Sequence, residues 1–163
     1  MTLLIKNCRI LINNKIYVKN ILIKNGKISK ITNKEFKAEK VIDAKQNFVL
    51  PGLIDCHVHF REPGLTHKED FLTGSFAAAK GGVTTILDMP NTLPPTTTIA
   101  ALEEKRKLAA KSIVNYGFHF GATSDNISDI KKMKNIAAVK LYMDYTTGDL
   151  KVEPSAWGKI TTF

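Results

Sequence analysis

Arginine is nearly missing from this chain. Of its 24 basic residues only Arg9, Arg61 and Arg106 are arginine; lysine serves almost everywhere a generic positive charge will do. Cysteine is scarce as well. Cys8 and Cys56 lie too far apart to form a disulfide framework and fit no zinc-finger spacing, and Cys56 reads as a small buried apolar filler. No apolar run approaches the roughly 20 residues of a membrane-spanning helix. The opening MTLLIKNCRILINN interrupts its apolar positions with polar ones and lacks a small-residue cleavage site, so it does not read as a signal peptide, and a cytoplasmic location is expected. Acidic residues are outnumbered 15 to 24, which leaves a net charge of +9 and a pI near 9.5. Such a balance invites a nucleic-acid partner. The lysines are spread along the chain, however, and no stretch combines a basic cluster with stacking aromatics, so none is expected. With 163 residues, 44% hydrophobic and 24% charged, the composition is that of a globular domain with a real core.

Against that background residues 51–64, PGLIDCHVHFREPG, stand out. Leu53, Ile54 and Val58 suit a buried strand. Asp55, His57, His59 and Arg61 fall at alternate positions, and alternate strand residues share a face. Two imidazoles two residues apart at a strand end are placed to bind one metal ion. An arginine next to them, in a chain that otherwise prefers lysine, suggests a planar, two-pronged carboxylate fork. Pro63 and Gly64 break the strand. Ordinary polar residues on a solvent-facing strand would explain the pattern less well, because the flanking residues are apolar.

Residues 1–50 read as all-β, the N-terminal part of a small sandwich with a structural role. Short apolar-rich runs are separated by Asn-Asn and by Asn25-Gly26, a hairpin signal. Further strands are expected at 38–43 and 47–50. Over residues 51–163 the pattern changes to strand–helix alternation. Strands are expected at 53–59, 83–88, 115–121 and 136–143. Helices are expected at 68–80, where Thr66 and Glu69 form a capping box, at 98–112 and at 127–134, with Pro154 opening another. Repeated βα units argue for parallel strands with helices outside. The fold class is therefore α/β: the first half of an eight-stranded TIM-type (β/α) barrel, preceded by the β segment. A full barrel takes roughly 250 residues, and only four of its strands can be counted.

Three strand ends carry chemistry. The first gives His57, His59 and Arg61, the second Asp88 and Asn91, and the fourth Lys140, which faces the same way as Ala138 and Tyr142. A lysine inside a buried strand is costly unless paired or modified; carbamylated by CO₂ it becomes a carboxylate able to bridge two metal ions. A lysine snorkelling from the rim is the blander alternative, as turn chemistry is for Asp88 and Asn91. His67 lies beyond the turn, and His119 shares a face with Gly117 and Gly121 where no site completes, so neither is expected to be a ligand.

The run PGLIDCHVHFREPGLTHKEDFLTGSFAAAKGGVTTILDMPNTLPPT resembles dihydroorotases of the amidohydrolase superfamily. HVHFREPG is similar to the metal motif with its carboxylate-binding arginine, DMPNTLPPT to the dihydroorotase form of the second-strand motif, and VKLYM to the segment holding a carbamylated lysine. The β segment resembles the small composite sandwich that flanks the barrel. This resemblance implies reversible hydrolysis of (S)-dihydroorotate to N-carbamoyl-L-aspartate in pyrimidine synthesis. It implies two zinc ions (Zn2+), with His57 and His59 on one, carbamylated Lys140 bridging to the other, and a bridging hydroxide as nucleophile. It further implies Arg61 and Asn91 on the substrate carboxylate, with His59 beside them. A homo-oligomer or an association with aspartate transcarbamoylase is compatible with it. Two further metal-binding histidines and the family's catalytic aspartate would come from later barrel strands, so no catalytic acid/base is assigned here and the chain is expected to be inactive alone. The alternatives are a non-catalytic half-barrel assembly partner and a fragment of an allantoinase or hydantoinase.

Overall fold

The computed structural model describes residues 1–161. The chain divides at Pro51/Gly52 into two compact units.

The first unit is one four-stranded sheet. β1 (Thr2–Ile12), β2 (Lys15–Lys24), β3 (Lys27–Thr32) and β4 (Lys40–Asp43) lie in the order β3-β2-β1-β4, antiparallel except for β1–β4. Both hairpin connections have two residues, and all four carry positive φ: Asn13 49°, Asn14 60°, Asn25 49° and Gly26 74°. Asparagine and glycine tolerate that left-handed region, and the resulting turn matches strand twist. The ladder slips between Ile5 and Cys8, where Asn7, also at positive φ, donates its amide to Asn20 Oδ1. One face buries Cys8, Ile10 and Ile21 and opens into a 440 Å³ apolar groove lined by Ile12, Ile28 and Val49 among others. The strand expected at 38–43 is β4; that at 47–50 is reduced to a bridge between Phe48 and Arg9.

The second unit is a parallel sheet in sequence order: β5 (Leu53–Val58), β6 (Val83–Asp88), β7 (Asn115–Gly121) and β8 (Ala138–Lys140). Helices α1 (Phe71–Lys80), α2 (Ile99–Ala109) and α3 (Ile127–Ile130) connect successive strands, and α4 (Pro154–Thr161) follows β8. Consecutive parallel strands joined by helices are the repeating unit of a (β/α) barrel, here a partial one. Val58, Phe60, Ile86, Phe118 and Phe120 meet Phe71 of α1, Leu102 of α2 and Ile160 of α4 in the main core. Phe71 makes edge-on contacts with Phe60 and Phe118, with ring centroids 5.8 and 6.1 Å apart. The other face carries His57, Leu87, Gly117, His119 and Lys140.

Several expectations need correction: the strand expected at 136–143 covers only Ala138–Lys140, and the helix expected at 127–134 only Ile127–Ile130. Helix α1 starts at Phe71, not Lys68, and its cap is Asp70, whose carboxylate accepts from the amides of Leu72 and Thr73. Thr66 takes no part; Glu69 instead accepts from the Asp70 amide and the Thr73 hydroxyl. Cys56 is exposed, whereas Cys8 is buried. β5 is an edge strand and α1 packs over β6, which leaves Ile54 and Cys56 uncovered by the described residues.

Candidate active site at the strand ends

Because β5–β8 are parallel, their C-terminal ends share one rim, and Val58, Asp88 and Phe118 are in register there, as are Gly121 and Lys140. His57 and His59 lie together on it, with ring centroids 5.3 Å apart. The β5 ladder slips between Asp55 and Val58, where Asp55 Oδ1 accepts from the His57 amide. Strand alternation ends at Val58 and does not reach Arg61. Arg61 comes to His59 through a turn: its φ is +63°, its carbonyl accepts from the Leu65 amide, and its charge acts on His59. Gly64, at φ +83°, packs so tightly on Leu93 that a Cβ there would sit 2.1 Å from the Leu93 carbonyl oxygen. Glu62 anchors the same turn. One of its oxygens accepts from the Phe71 amide at 3.0 Å and the other from Lys111 Nζ at 2.9 Å.

Asn91 is buried beside His59, with Oδ1 2.8 Å from His59 Nδ1 and Nδ2 donating to Thr146 Oγ1 at 3.0 Å. In this arrangement the amide turns its oxygen toward the imidazole. An amide oxygen only accepts, so Nδ1 carries the proton and Nε2 keeps its lone pair. Burial pushes the His59 pKa down; the Asn91 bond partly opposes this, and Arg61 and His57 add to it. A neutral imidazole with a free Nε2 has the state a metal ligand needs.

Lys140 is half-buried, with Nζ 5.2 Å from the centre of the Tyr142 ring, while Val139 and Leu141 pack on the helix-facing core. The Tyr142 hydroxyl is buried without a hydrogen-bond partner among the described residues. Desolvation, reinforced by Asp88, raises its pKa to about 12. Asp88 belongs to the opposite, helix-facing side: its side chain is fully enclosed and ion-paired with Lys105 of α2. His119 is committed elsewhere, its Nε2 3.0 Å from the Cys56 carbonyl, and His67 is exposed.

The described residues thus bring His57, His59, Arg61 and Asn91 together, with Lys140 on the same rim. They hold no group of three or more His, Cys, Asp or Glu side chains able to enclose a metal. Two imidazoles, one with its Nε2 lone pair fixed, fit part of a metal site. Lys105, Glu62, Lys111 and Thr146 carried no signal in the sequence; each acquires its role through a partner 16 to 55 residues away. Among the described residues no helix is long and apolar enough to cross a membrane.

The chain is 46% identical over 156 residues to a dihydroorotase of Methanosarcina mazei, covering 91% of this chain and 34% of that protein. It is 39% identical over 140 residues to an L-hydantoinase of Paenarthrobacter aurescens, covering 83% of this chain and 31% of that one. The solved L-hydantoinase of Arthrobacter aurescens superposes with a TM-score of 0.87 at 33% identity, over 97% of this chain and 37% of its own. The chain therefore spans about a third of the length of the curated relatives it matches. Residues 48–154 match the model of the amidohydrolase family, and the chain belongs to that family.

Proposed function

We propose that this chain is the part of a dihydroorotase-type cyclic amidohydrolase that carries one metal half-site and the substrate-carboxylate clamp. The observation that carries this reading is the His59–Asn91 contact, which joins a candidate metal ligand to a candidate substrate-binding amide on one rim. His57 and His59 hold one zinc ion. Lys140 first gives up its ammonium proton; addition of the free amine to CO₂ releases a second proton and leaves a carbamate anion able to serve as a metal ligand. Arg61 provides a forked donor for the substrate carboxylate, and Asn91 orients it while holding the His59 tautomer. Zinc, when bound, supplies Lewis acidity and brings the pKa of water toward neutrality. The remaining metal ligands and the general acid/base lie outside these residues, so the substrate is (S)-dihydroorotate for the completed enzyme and the chain alone is inactive. Residues 1–50 belong to a composite β domain, and the enzyme works in the cytoplasm on a small-molecule substrate.

The hydantoinase relatives support a second reading, a hydantoin-opening enzyme on the same scaffold. The test is to join the chain to the C-terminal segment of the Methanosarcina mazei relative and assay it with zinc. Turnover of dihydroorotate is expected; turnover of hydantoin alone would transfer the assignment. The 163-residue chain should show zinc binding, lost in His57→Ala, but no turnover. Robust dihydroorotate hydrolysis by the chain alone would overturn the half-site reading.

A further inference from the structure

Lys105 has no part in the chemistry above, yet it is fully enclosed, as is its partner Asp88. It lies on a helix of charged residues. Its neighbours Arg106 and Lys107 pair with Glu103 and Glu104 along the partly exposed helix surface, whereas Lys105 turns inward. Its ammonium donates to the Met89 carbonyl at 2.7 Å. It also lies 2.6 Å from Asp88 Oδ2, in ion-pair contact, and sits 5.9 Å from the centre of the Phe118 ring. Asp88 relays the contact, because its Oδ1 accepts from the Phe60 amide at 2.8 Å. The Met89 amide in turn donates to the Val58 carbonyl.

One ammonium thus reaches the backbone two residues before Asn91 and, through one carboxylate, the backbone immediately after His59. Enclosing an ion pair is a poor route to stability, since two apolar side chains of similar volume serve as well or better. An apolar pair cannot, however, hold a carbonyl and an amide of two different loops at fixed positions.

We propose that Lys105 is a positioning residue: through Asp88 and Met89 it fixes the two loops that bring His59 and Asn91 into contact. Burial pushes the Lys105 pKa down, and the charge of Asp88 opposes that shift, in keeping with an ammonium held by its partners. The inference rests on the proposed function for what the site does, but not for the geometry it explains.

The test uses the 163-residue chain labelled with ¹⁵N. Wild type should show His59 as the pure Nδ1–H tautomer, a Phe60 amide exchanging at least about a hundredfold more slowly than an open peptide, and a slowly exchanging Lys105 ammonium resonance. Lys105→Met should lose the single His59 tautomer while its core amides and Trp157 fluorescence report a folded second unit. Lys111→Met, which removes the partner of Glu62 instead, should keep it. A folded Lys105→Met chain with the Nδ1–H tautomer intact overturns the proposal. If that variant does not fold, the unaltered chain decides: a Phe60 amide without protection, or no slow ammonium resonance, overturns it. None of these signals needs metal or substrate. If the completed enzyme opens no cyclic amide while the Lys105 results hold, the functional reading fails and the positioning role stands.

Discussion

The two units hold their charge in opposite ways. Residues 1–50 contain eleven lysines and arginines against three acidic residues; from residue 51 on the numbers are thirteen and twelve. Eight of the nine net positive charges therefore lie in the β unit. Lysine is spread along the chain, but its acidic counterparts are not. In the β unit most lysines are exposed, and Lys24 and Lys27 even sit directly opposite each other across β2 and β3. In the second unit the charges nearly balance; one ion pair, Asp88–Lys105, is fully enclosed, and in another, Glu62–Lys111, the carboxylate is buried beneath an exposed ammonium. Net charge marks the unit without buried ion pairs among the described residues; one fully enclosed ion pair marks the unit with the candidate site.

The contrast can be broken experimentally, and the largest effect should come from the most enclosed pair. Asp88→Ala leaves the Lys105 ammonium buried without a counter-charge and should cost about 3–5 kcal/mol, read from urea unfolding through Trp157, the only tryptophan, which packs on the second unit's core. A loss below about 1 kcal/mol would erase the distinction between the units. Asp70→Ala removes the α1 cap and should cost about 1 kcal/mol in the same assay. A pH effect follows from His59. Its folded pKa lies below the ordinary 6.5, so as pH falls through that value the unfolded chain takes up the proton first. Stability should be full above about pH 6.5 and decline as pH drops toward the lowered folded pKa. His59→Gln should flatten that decline, and an unchanged slope would remove His59 as its source. Least of all, changing Lys24, Lys27 and Lys30 together to glutamine should shift stability by no more than about 0.5 kcal/mol, with relief of the Lys24–Lys27 repulsion offsetting other losses.

The same contrast separates what local sequence pattern encodes from what only the fold creates. Strand–helix alternation, the Asn25-Gly26 turn and the parallel order of β5–β8 follow from local pattern, because their causes are local: periodicity, turn chemistry and connection length. His57 and His59 are legible for the same reason, being neighbours on one strand. Strand alternation stops at Val58, short of Arg61, and a left-handed turn brings Arg61 beside them instead. Asp70 outcompetes Thr66 as a cap because the chain between them is held in turns, which no spacing rule reveals. Cys56 looks like a core residue until β5 proves to be an edge strand. Lys105 was invisible because a lysine among Glu103, Glu104, Arg106 and Lys107 has the signature of a solvated helix face. Only the fold brings Asp88, seventeen residues earlier in the chain, to it.

The sheet orders also set a sequence of events in time. β1, β2 and β3 are joined by two-residue turns, so their contacts are close along the chain, and hairpins of this kind form in about 1–10 μs. β4 must return to β1 over a long loop, pairing Lys40 with Leu3. Every pairing in the second unit waits on a helical crossover, as when Val58 meets Asp88, and non-local pairing of that kind is slow. On refolding, exchange protection in the β1–β2 hairpin should appear before the Trp157 signal, with the rim that carries His57, His59 and Asn91 completed last.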